Sequence, residues 1–137
     1  MGSPSIEGHA IIRNMPVPRI SKEDLSAKID DAATAPVLVD ARLKYPYEHS
    51  TVKLPGAVRV EPPDFDLSSV PRDREVVAYD SDPQEFVSAR IAAQLIREGC
   101  QASALKGGIE EWIAAKLPTE GKEAPKQKPP VAGALKG

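Results

Sequence analysis

The sequence contains few cysteine, histidine or aromatic residues. Cys100 is the single cysteine among 137 residues, which excludes an internal disulfide framework and a zinc site built from cysteines. The two histidines, His9 and His49, are too few for a histidine-rich metal site. Aromatic residues make up 4% of the chain, which is few for a protein that stacks on single-stranded nucleic acid. We therefore predict no metal ion and no cofactor.

Net charge and hydropathy exclude further classes of protein. The chain has 18 basic and 20 acidic side chains, and this balance argues against binding to nucleic acid. No segment approaches the ~18 consecutive apolar residues of a membrane span, and the first residues lack the layout of a signal peptide. The length suits one domain. We predict a monomer in the cytoplasm, without a membrane span and without a nucleic-acid partner.

Both ends of the chain have the composition of unstructured segments. Residues 1–19 contain three prolines, and we expect a disordered leader or one introduced by cloning, with no role for His9. Residues 121–137 contain four lysines and one glutamate, giving a net charge of +3, and we expect a disordered basic tail. That tail could contact an acidic partner or a membrane surface, but so few charges bind weakly, which favours a solubilising end or linker. The predicted domain spans residues 20–120.

Apolar runs alternate with helical patterns across the predicted domain. The strands are expected at residues 37–41, 57–60, 74–80 and 101–105. Helices are expected from Ser21 to Ala32, and from the Gly107-Gly108 pair to Pro118. A third helix has a clear start, with Asp82 as the N-cap, Pro83 first and Glu85 third, and it ends at Gly99. This alternation predicts a small α/β domain whose mainly parallel sheet is flanked by helices.

An acidic residue follows two of these strands. Ligands of parallel α/β sheets bind beyond the carboxyl ends of the strands. Those ends are Asp40-Ala41-Arg42 and Asp80-Ser81-Asp82. We therefore expect the functional site where these two segments meet.

Five segments resemble, in order, the motifs of the rhodanese family. Together they span about 100 residues, and the resemblance implies a rhodanese-like fold. The matching segments are Val37-Leu38-Val39-Asp40-Ala41-Arg42, Leu54-Pro55-Gly56-Ala57, Val76-Val77-Ala78-Tyr79, Ser88-Ala89-Arg90-Ile91-Ala92-Ala93-Gln94-Leu95 and Leu105-Lys106-Gly107-Gly108-Ile109-Glu110-Glu111-Trp112.

The resemblance implies a sulfurtransferase site, but this sequence lacks its nucleophile. Enzymes of the family carry a cysteine after the third strand, whose thiolate takes a sulfur atom from a donor and passes it on as a persulfide. Asp80 stands at that position, and a carboxylate cannot form a persulfide. The loop continues with Ser81, Asp82, Pro83, Gln84 and Glu85, without the basic residue usual in the family, so an anionic donor would be repelled.

These departures favour a catalytically inactive module that binds, regulates or assists sulfur relay. Its protein or small-molecule partner would contact the acidic loop, and we assign no catalytic residue. The alternative is a thiosulfate-type sulfurtransferase, if Asp80 replaces a native cysteine or the chemistry takes another route. Cys100 cannot supply the thiol, because the predicted helix of about 24 Å places it at the opposite edge of the domain.

Three interpretations of Asp80 stay open. It could accept N–H groups of its own loop at a helix N-terminus. It could mimic the negative charge of the cysteine thiolate or persulfide in a binding site. It could join Asp82, Glu85 and Asp40 in a cluster for a divalent cation. Asp40 and Arg42 are expected to shape the site through a structural salt bridge, and residues 45–51 are expected to be an exposed loop suited to a partner contact.

Overall fold

A computed structural model describes residues 17–82 and 84–122. Short strands and four helices alternate along this part of the chain. In order, the elements are β1 (Arg19–Ile20), α1 (Lys22–Ile29), β2 (Val37–Asp40), α2 (Lys44–His49), β3 (Val52–Lys53), β4 (Val58–Arg59), β5 (Val76–Tyr79), α3 (Phe86–Arg97), β6 (Ala102–Leu105), α4 (Gly108–Ala114) and β7 (Glu120–Gly121).

Five strands form one parallel sheet in the order β1-β6-β5-β2-β4. The central pair, β2 and β5, is in a register that places Asp40 opposite Tyr79. Strands β3 and β7 form a separate antiparallel pair. The expected small α/β domain with a mainly parallel sheet is confirmed. Because β2 and β5 are neighbours, Asp40 and Asp80 both lie at the same edge of the sheet.

The alternation of side chains along the strands divides the core between the two faces of the sheet. One face carries Ala78 of β5 and packs against α3, whose Ile91 and Leu95 are buried. The opposite face carries Tyr79 and packs against α1 and α4, where Leu25 and Trp112 are buried. By this alternation Asp80 faces α3, whereas Asp40, in register with Tyr79, faces α1 and α4.

Helix α3 begins at Phe86, so the predicted start at Pro83 is wrong. Glu85 adopts a left-handed conformation with φ of 57°, which no residue inside an α-helix has. Its N–H donates to the carbonyl of Asp82 at 2.9 Å, closing a turn before the helix. Asp82, which was predicted to be the N-cap of this helix, stabilises the turn instead. Its side-chain carboxylate accepts the N–H of Gln84 at 2.8 Å. The helix does end before Gly99, where φ is +89°.

Several short elements were not predicted. Residues 45–51 were expected to be a loop, but Lys44–His49 forms helix α2. Arg19, assigned to the leader, pairs with Ala104 in the sheet, and Gly121, assigned to the tail, pairs with Val52. Strands of two residues are too short to show an alternation of apolar and polar residues in the sequence. They form only because a neighbouring strand supplies their hydrogen-bond partners. The first helix is also shorter than predicted and ends at Ile29.

The remaining predictions about the chain ends concern residues 1–16 and 123–137, including His9, which lie outside the described residues. The division into leader, domain and tail therefore stays a prediction. Within the described part, no helix is long and apolar enough to cross a membrane.

Candidate functional site

Asp80 lies directly after β5, with its carboxylate buried beneath the start of α3. The residue is 1% exposed. The N–H of Ser88, the third residue of α3, donates to Oδ2 of Asp80 at 2.6 Å. The N–H of Asp82 donates to Oδ1 at 2.9 Å. Asp80 thus caps a helix to which it does not belong, while the Glu85 side chain at the adjacent cap position makes no such bond.

Burial is the largest influence on the ionisation of Asp80. It raises the pKa of this carboxyl above its usual value, because a charge loses solvation when it leaves water. The hydrogen bonds from Ser88 and Asp82 oppose this shift, and the nearby Asp82 carboxylate adds to it, so that the pKa stays raised. No cation neutralises Asp80 among the described residues.

The main chain of Asp80 is covered by the first residues of α4. Its carbonyl accepts the N–H of Ile109 at 2.9 Å. Gly108 crosses this carbonyl so closely that a Cβ atom there would lie 2.5 Å from the oxygen, and its φ is +69°. Only glycine meets both requirements. The Gly107-Gly108 pair, identified in the sequence as a turn, therefore also packs against the candidate site.

Glu85 ends the loop with its side chain turned inward. The residue is 9% exposed. Its Oε1 accepts Nε–H of Arg19 at 2.9 Å, and its Oε2 accepts the N–H of Gly107 at 2.9 Å. Arg19 was given no role in the sequence, since its partner is 66 residues away. Glu85 thus links the loop to β1 and to the Gly107-Gly108 turn, and its charge is compensated.

The outer surface of the loop is less acidic than its sequence suggests. Asp80 and Glu85 point inward, whereas Asp82 is half-buried. Gln84 is exposed, and Phe86, the first residue of α3, is 66% exposed. Pro83 lies outside the described residues. The described part of the loop therefore exposes Ser81, Asp82 and Gln84 to solvent, next to the exposed ring of Phe86.

Asp40 and Arg42 form a buried ion pair at the neighbouring strand end. Each is 1% exposed. Nη2 of Arg42 donates to Oδ2 of Asp40 at 2.6 Å, and Nε donates to Oδ1 at 3.0 Å. Arg59 adds a second cation 3.7 Å from Oδ1. Burial alone would lower the pKa of Arg42, but the bonds and charge of Asp40 raise it overall. This geometry supports the structural interpretation of the pair.

The carboxylates of Asp40 and Asp80 do not converge. They face opposite sides of the sheet, as the burial of their strand neighbours shows. In residues 17–82 and 84–122, no three His, Cys, Asp or Glu side chains are placed to hold a metal ion. The interpretation of Asp80 as part of a cation site with Asp82, Glu85 and Asp40 thus has no support in this part of the chain.

Cys100 lies far from Asp80. Its thiol is buried and its Sγ is 3.6 Å from the carbonyl of Arg74, ahead of β5. Asp80 follows the other end of that strand, whose four residues span about 13 Å. Burial raises the pKa of the Cys100 thiol, which disfavours the reactive thiolate.

His49 is the last residue of helix α2. Its exposed ring contacts Tyr45, with Nδ1 3.0 Å from the Tyr45 carbonyl oxygen. The hydroxyl of the adjacent Ser50 donates to the carbonyl of Val52 at 3.0 Å. Lys53, which precedes the turn, donates from Nζ to the carbonyl of Ala57 at 3.1 Å. These groups stabilise helix α2 and the turn at Leu54-Pro55-Gly56-Ala57.

The sequence profile of the rhodanese-like domain matches residues 21–115. The chain belongs to the rhodanese-like domain family. The match covers β2, the Asp80 loop and α3. A comparison with curated proteins found no match.

Solved structures share the fold of this rhodanese-like domain. A protein of Bacillus halodurans, BH2092, is 19% identical, with 87% of each chain covered and a TM-score of 0.63. A full-length protein of Lactobacillus plantarum is 22% identical, covering 88% of this chain and 99% of its own, with a TM-score of 0.63. The rhodanese-like domain of Alr3790 from Anabaena sp. is 24% identical, covering 85% and 88%, with a TM-score of 0.59. At these identities the likeness concerns the fold alone.

Proposed function

We propose that this rhodanese-like domain does not transfer sulfur and instead acts as a binding module, in a regulatory or sulfur-relay accessory role. The observation that carries this proposal is the Asp80 carboxylate, 1% exposed, beneath the start of α3. By resemblance, the reactive cysteine of the family's enzymes occupies this position. A carboxylate oxygen cannot take up a sulfur atom and release it as a persulfide does.

The hydrogen-bond donors of the loop support the same proposal. Family enzymes aim backbone N–H groups and a helix N-terminus at the sulfur that carries the negative charge. Here the N–H groups of Ser88 and Asp82 donate to the carboxylate of Asp80. An external anion such as thiosulfate would have to displace a carboxylate tethered to the same chain. The site is therefore filled by its own side chain.

A binding role is supported by the surface at this edge of the sheet. Phe86 is 66% exposed at the start of α3, and Tyr45 and Leu43, which follow β2, are 73% and 47% exposed. Because β2 and β5 are neighbours, all three residues follow strands that end at the same edge. Exposed aromatic and aliphatic side chains of this kind are typical of protein interfaces. We propose that a partner protein contacts this edge beside the loop of Asp80 to Glu85.

The alternative function is sulfur transfer of the thiosulfate type, with Asp80 in place of a native cysteine. The rhodanese-like fold itself favours it, since a loop and helix α3 follow β5, where by resemblance the family's enzymes hold their persulfide. Restoring the thiol by Asp80→Cys separates the two functions, because the rest of the loop is left unchanged.

The test is sulfur transfer from thiosulfate to cyanide by the full chain, by Asp80→Cys and by Cys100→Ser. We expect no turnover above the uncatalysed rate in the full chain and in Cys100→Ser. Turnover that survives Cys100→Ser would contradict the proposal, because it would require chemistry without a cysteine. Turnover in Asp80→Cys alone would support the alternative, whereas its absence would mean that the loop has lost more than its nucleophile.

The binding role has its own test. Partners are captured from a cell extract with the full chain and with a double variant that combines Phe86→Ser and Tyr45→Ser. The control variant is Ile113→Ser, which changes an exposed apolar residue on helix α4. We expect a captured protein that the double variant loses and the control retains. Equal capture by all three chains would contradict a partner at this edge.

A further inference from the structure

A groove beside α3, to which no residue of the loop from Asp80 to Glu85 contributes, has no part in the proposed function. It lies between α3 and residues 63–72, and its volume is about 510 Å³. Volumes of this size accommodate small ligands. Phe65, Leu67 and Ile91 form an apolar floor, and each is less than 10% exposed. Phe65 holds its ring there with a left-handed backbone, φ 48°, which is rare for an aromatic residue.

Three arginines line the groove, and one of them is already engaged. Arg72 forms an ion pair with Glu98 and donates to the carbonyl of Leu67 at 3.0 Å. Its charge and hydrogen-bonding capacity therefore serve the connection between residues 67–72 and the end of α3. Arg72 forms one wall of the groove but is not available to a ligand without loss of these contacts.

Arg90 and Arg97 differ from Arg72 in that both lie on helix α3. With Gln94 between them they occupy positions i, i+4 and i+7 of α3, which lie on one side of the helix over about 10 Å. Both arginines are exposed. Arg97 donates to Oε1 of Gln94 at 2.8 Å, and the guanidinium of Arg90 lies 5.9 Å from the centre of the Phe65 ring. No carboxylate among residues 17–82 and 84–122 forms an ion pair with either guanidinium.

The charge of the groove is opposite to that of the chain. Asp64 and Glu98 also line it, and Glu98 is paired with Arg72, which leaves two guanidinium groups against one exposed carboxylate. The whole chain carries a net charge of −2. A local positive potential on an acidic protein attracts anions to that place and repels them elsewhere.

We propose that this groove binds a small organic phosphate whose apolar body lies on the Phe65, Leu67 and Ile91 floor. Guanidinium groups bind phosphate through paired N–H donors, which an exposed lysine cannot provide. Arg90 and Arg97 both line the groove and are the two guanidinium groups that the phosphate would contact. The apolar body distinguishes this ligand from inorganic phosphate.

The experiment uses the ¹⁵N-labelled full chain, titrated with phenyl phosphate and followed by amide chemical shifts. Inorganic phosphate and phenol serve as matched ligands that have only the charge or only the ring. We expect saturable shifts confined to α3 and residues 63–72 with phenyl phosphate, and binding at least about tenfold weaker with either matched ligand.

The test protein is a double variant that combines Arg90→Gln and Arg97→Gln. The control is Lys106→Gln, which removes an exposed cation that does not line the groove. Glutamine keeps the polarity and helical preference, so both proteins are expected to fold. We expect the double variant to bind phenyl phosphate at least about tenfold more weakly, and the control to bind it unchanged. The proposal would be overturned if the double variant and the control bound phenyl phosphate equally weakly. It would also be overturned if inorganic phosphate and phenyl phosphate bound equally well, and either result would leave an adventitious ion only. Neither result depends on sulfur transfer.

Discussion

Asp40 and Asp80 occupy equivalent places on neighbouring strands, yet their surroundings differ. Each lies at or just after the carboxyl end of a buried parallel strand, and each is 1% exposed. Asp40 faces α1 and α4 and is paired with the guanidinium of Arg42. Asp80 faces α3 and is held by the backbone N–H groups of Ser88 and Asp82.

The difference separates two ways of keeping a carboxylate inside a protein. The guanidinium of Arg42 compensates the charge of Asp40, and its removal leaves the buried carboxylate with only the more distant Arg59. Backbone dipoles compensate Asp80 only in part, and burial raises the pKa of its carboxyl. The first arrangement stabilises the fold around the site. The second leaves a partly compensated carboxylate beneath the start of α3.

The largest expected effect comes from breaking the Asp40 pair. Arg42→Ala should lower the free energy of unfolding by about 3 kcal/mol or more, because a buried ion pair that loses one partner leaves an uncompensated charge. Arg59, 3.7 Å from Asp40, limits the loss. Urea unfolding measures this loss of stability. The control is Lys44→Ala, which removes an exposed ion pair with Glu48 and is expected to change the free energy of unfolding by less than about 0.5 kcal/mol. A similar small loss for Arg42→Ala would show that the pair is not a structural anchor.

A smaller effect is expected at Asp80. Asp80→Ala should cost about 1–2 kcal/mol, since the N–H groups of Ser88 and Asp82 lose their acceptor at the start of α3. Asp80→Asn should cost less, because the amide oxygen can accept one of the two. Urea unfolding of both variants beside Asp73→Ala, an exposed aspartate, provides the comparison. If Asp80→Ala were as stable as the control, the carboxylate would not be a helix cap.

The smallest expected effect is the pH dependence of the contribution that Asp80 makes to stability. The pKa of Asp80 is raised in the folded chain, so the folded state binds this proton more tightly than the unfolded state. Its contribution to stability is therefore present at low pH and is lost as the pH rises through the folded pKa. Unfolding of the wild type and Asp80→Asn, compared from about pH 4 to about pH 7, should show the wild type losing stability relative to the variant. A constant difference would show that Asp80 keeps its unfolded pKa.

The sequence predicted the sheet well because its central strands are continuous apolar runs. Val37–Asp40 and Val76–Tyr79 lie within one or two residues of the expected bounds, as do Ala102–Leu105 and the glycine that ends α3. The start of α3 was misplaced because the Asp82-Pro83-Gln84-Glu85 pattern also suits a turn. Local preference could not show that Glu85 is bound by Arg19 and Gly107, which hold it outside the helix.

Strand periodicity determined, from the sequence alone, that Asp80 follows a buried strand of a parallel sheet, at the same end of that sheet as Asp40. The hypothesis that Asp80 stands in place of a sulfur nucleophile came from the resemblance to the rhodanese family. Tertiary structure decided the partners of each acidic side chain. Arg19 and Glu85 are 66 residues apart, and of the two N–H groups that bind Asp80, that of Ser88 comes from α3 and that of Asp82 comes from the loop before it. Such partners are chosen by packing in three dimensions, because an acidic residue in a linear pattern is equally compatible with a cation, a helix end or water.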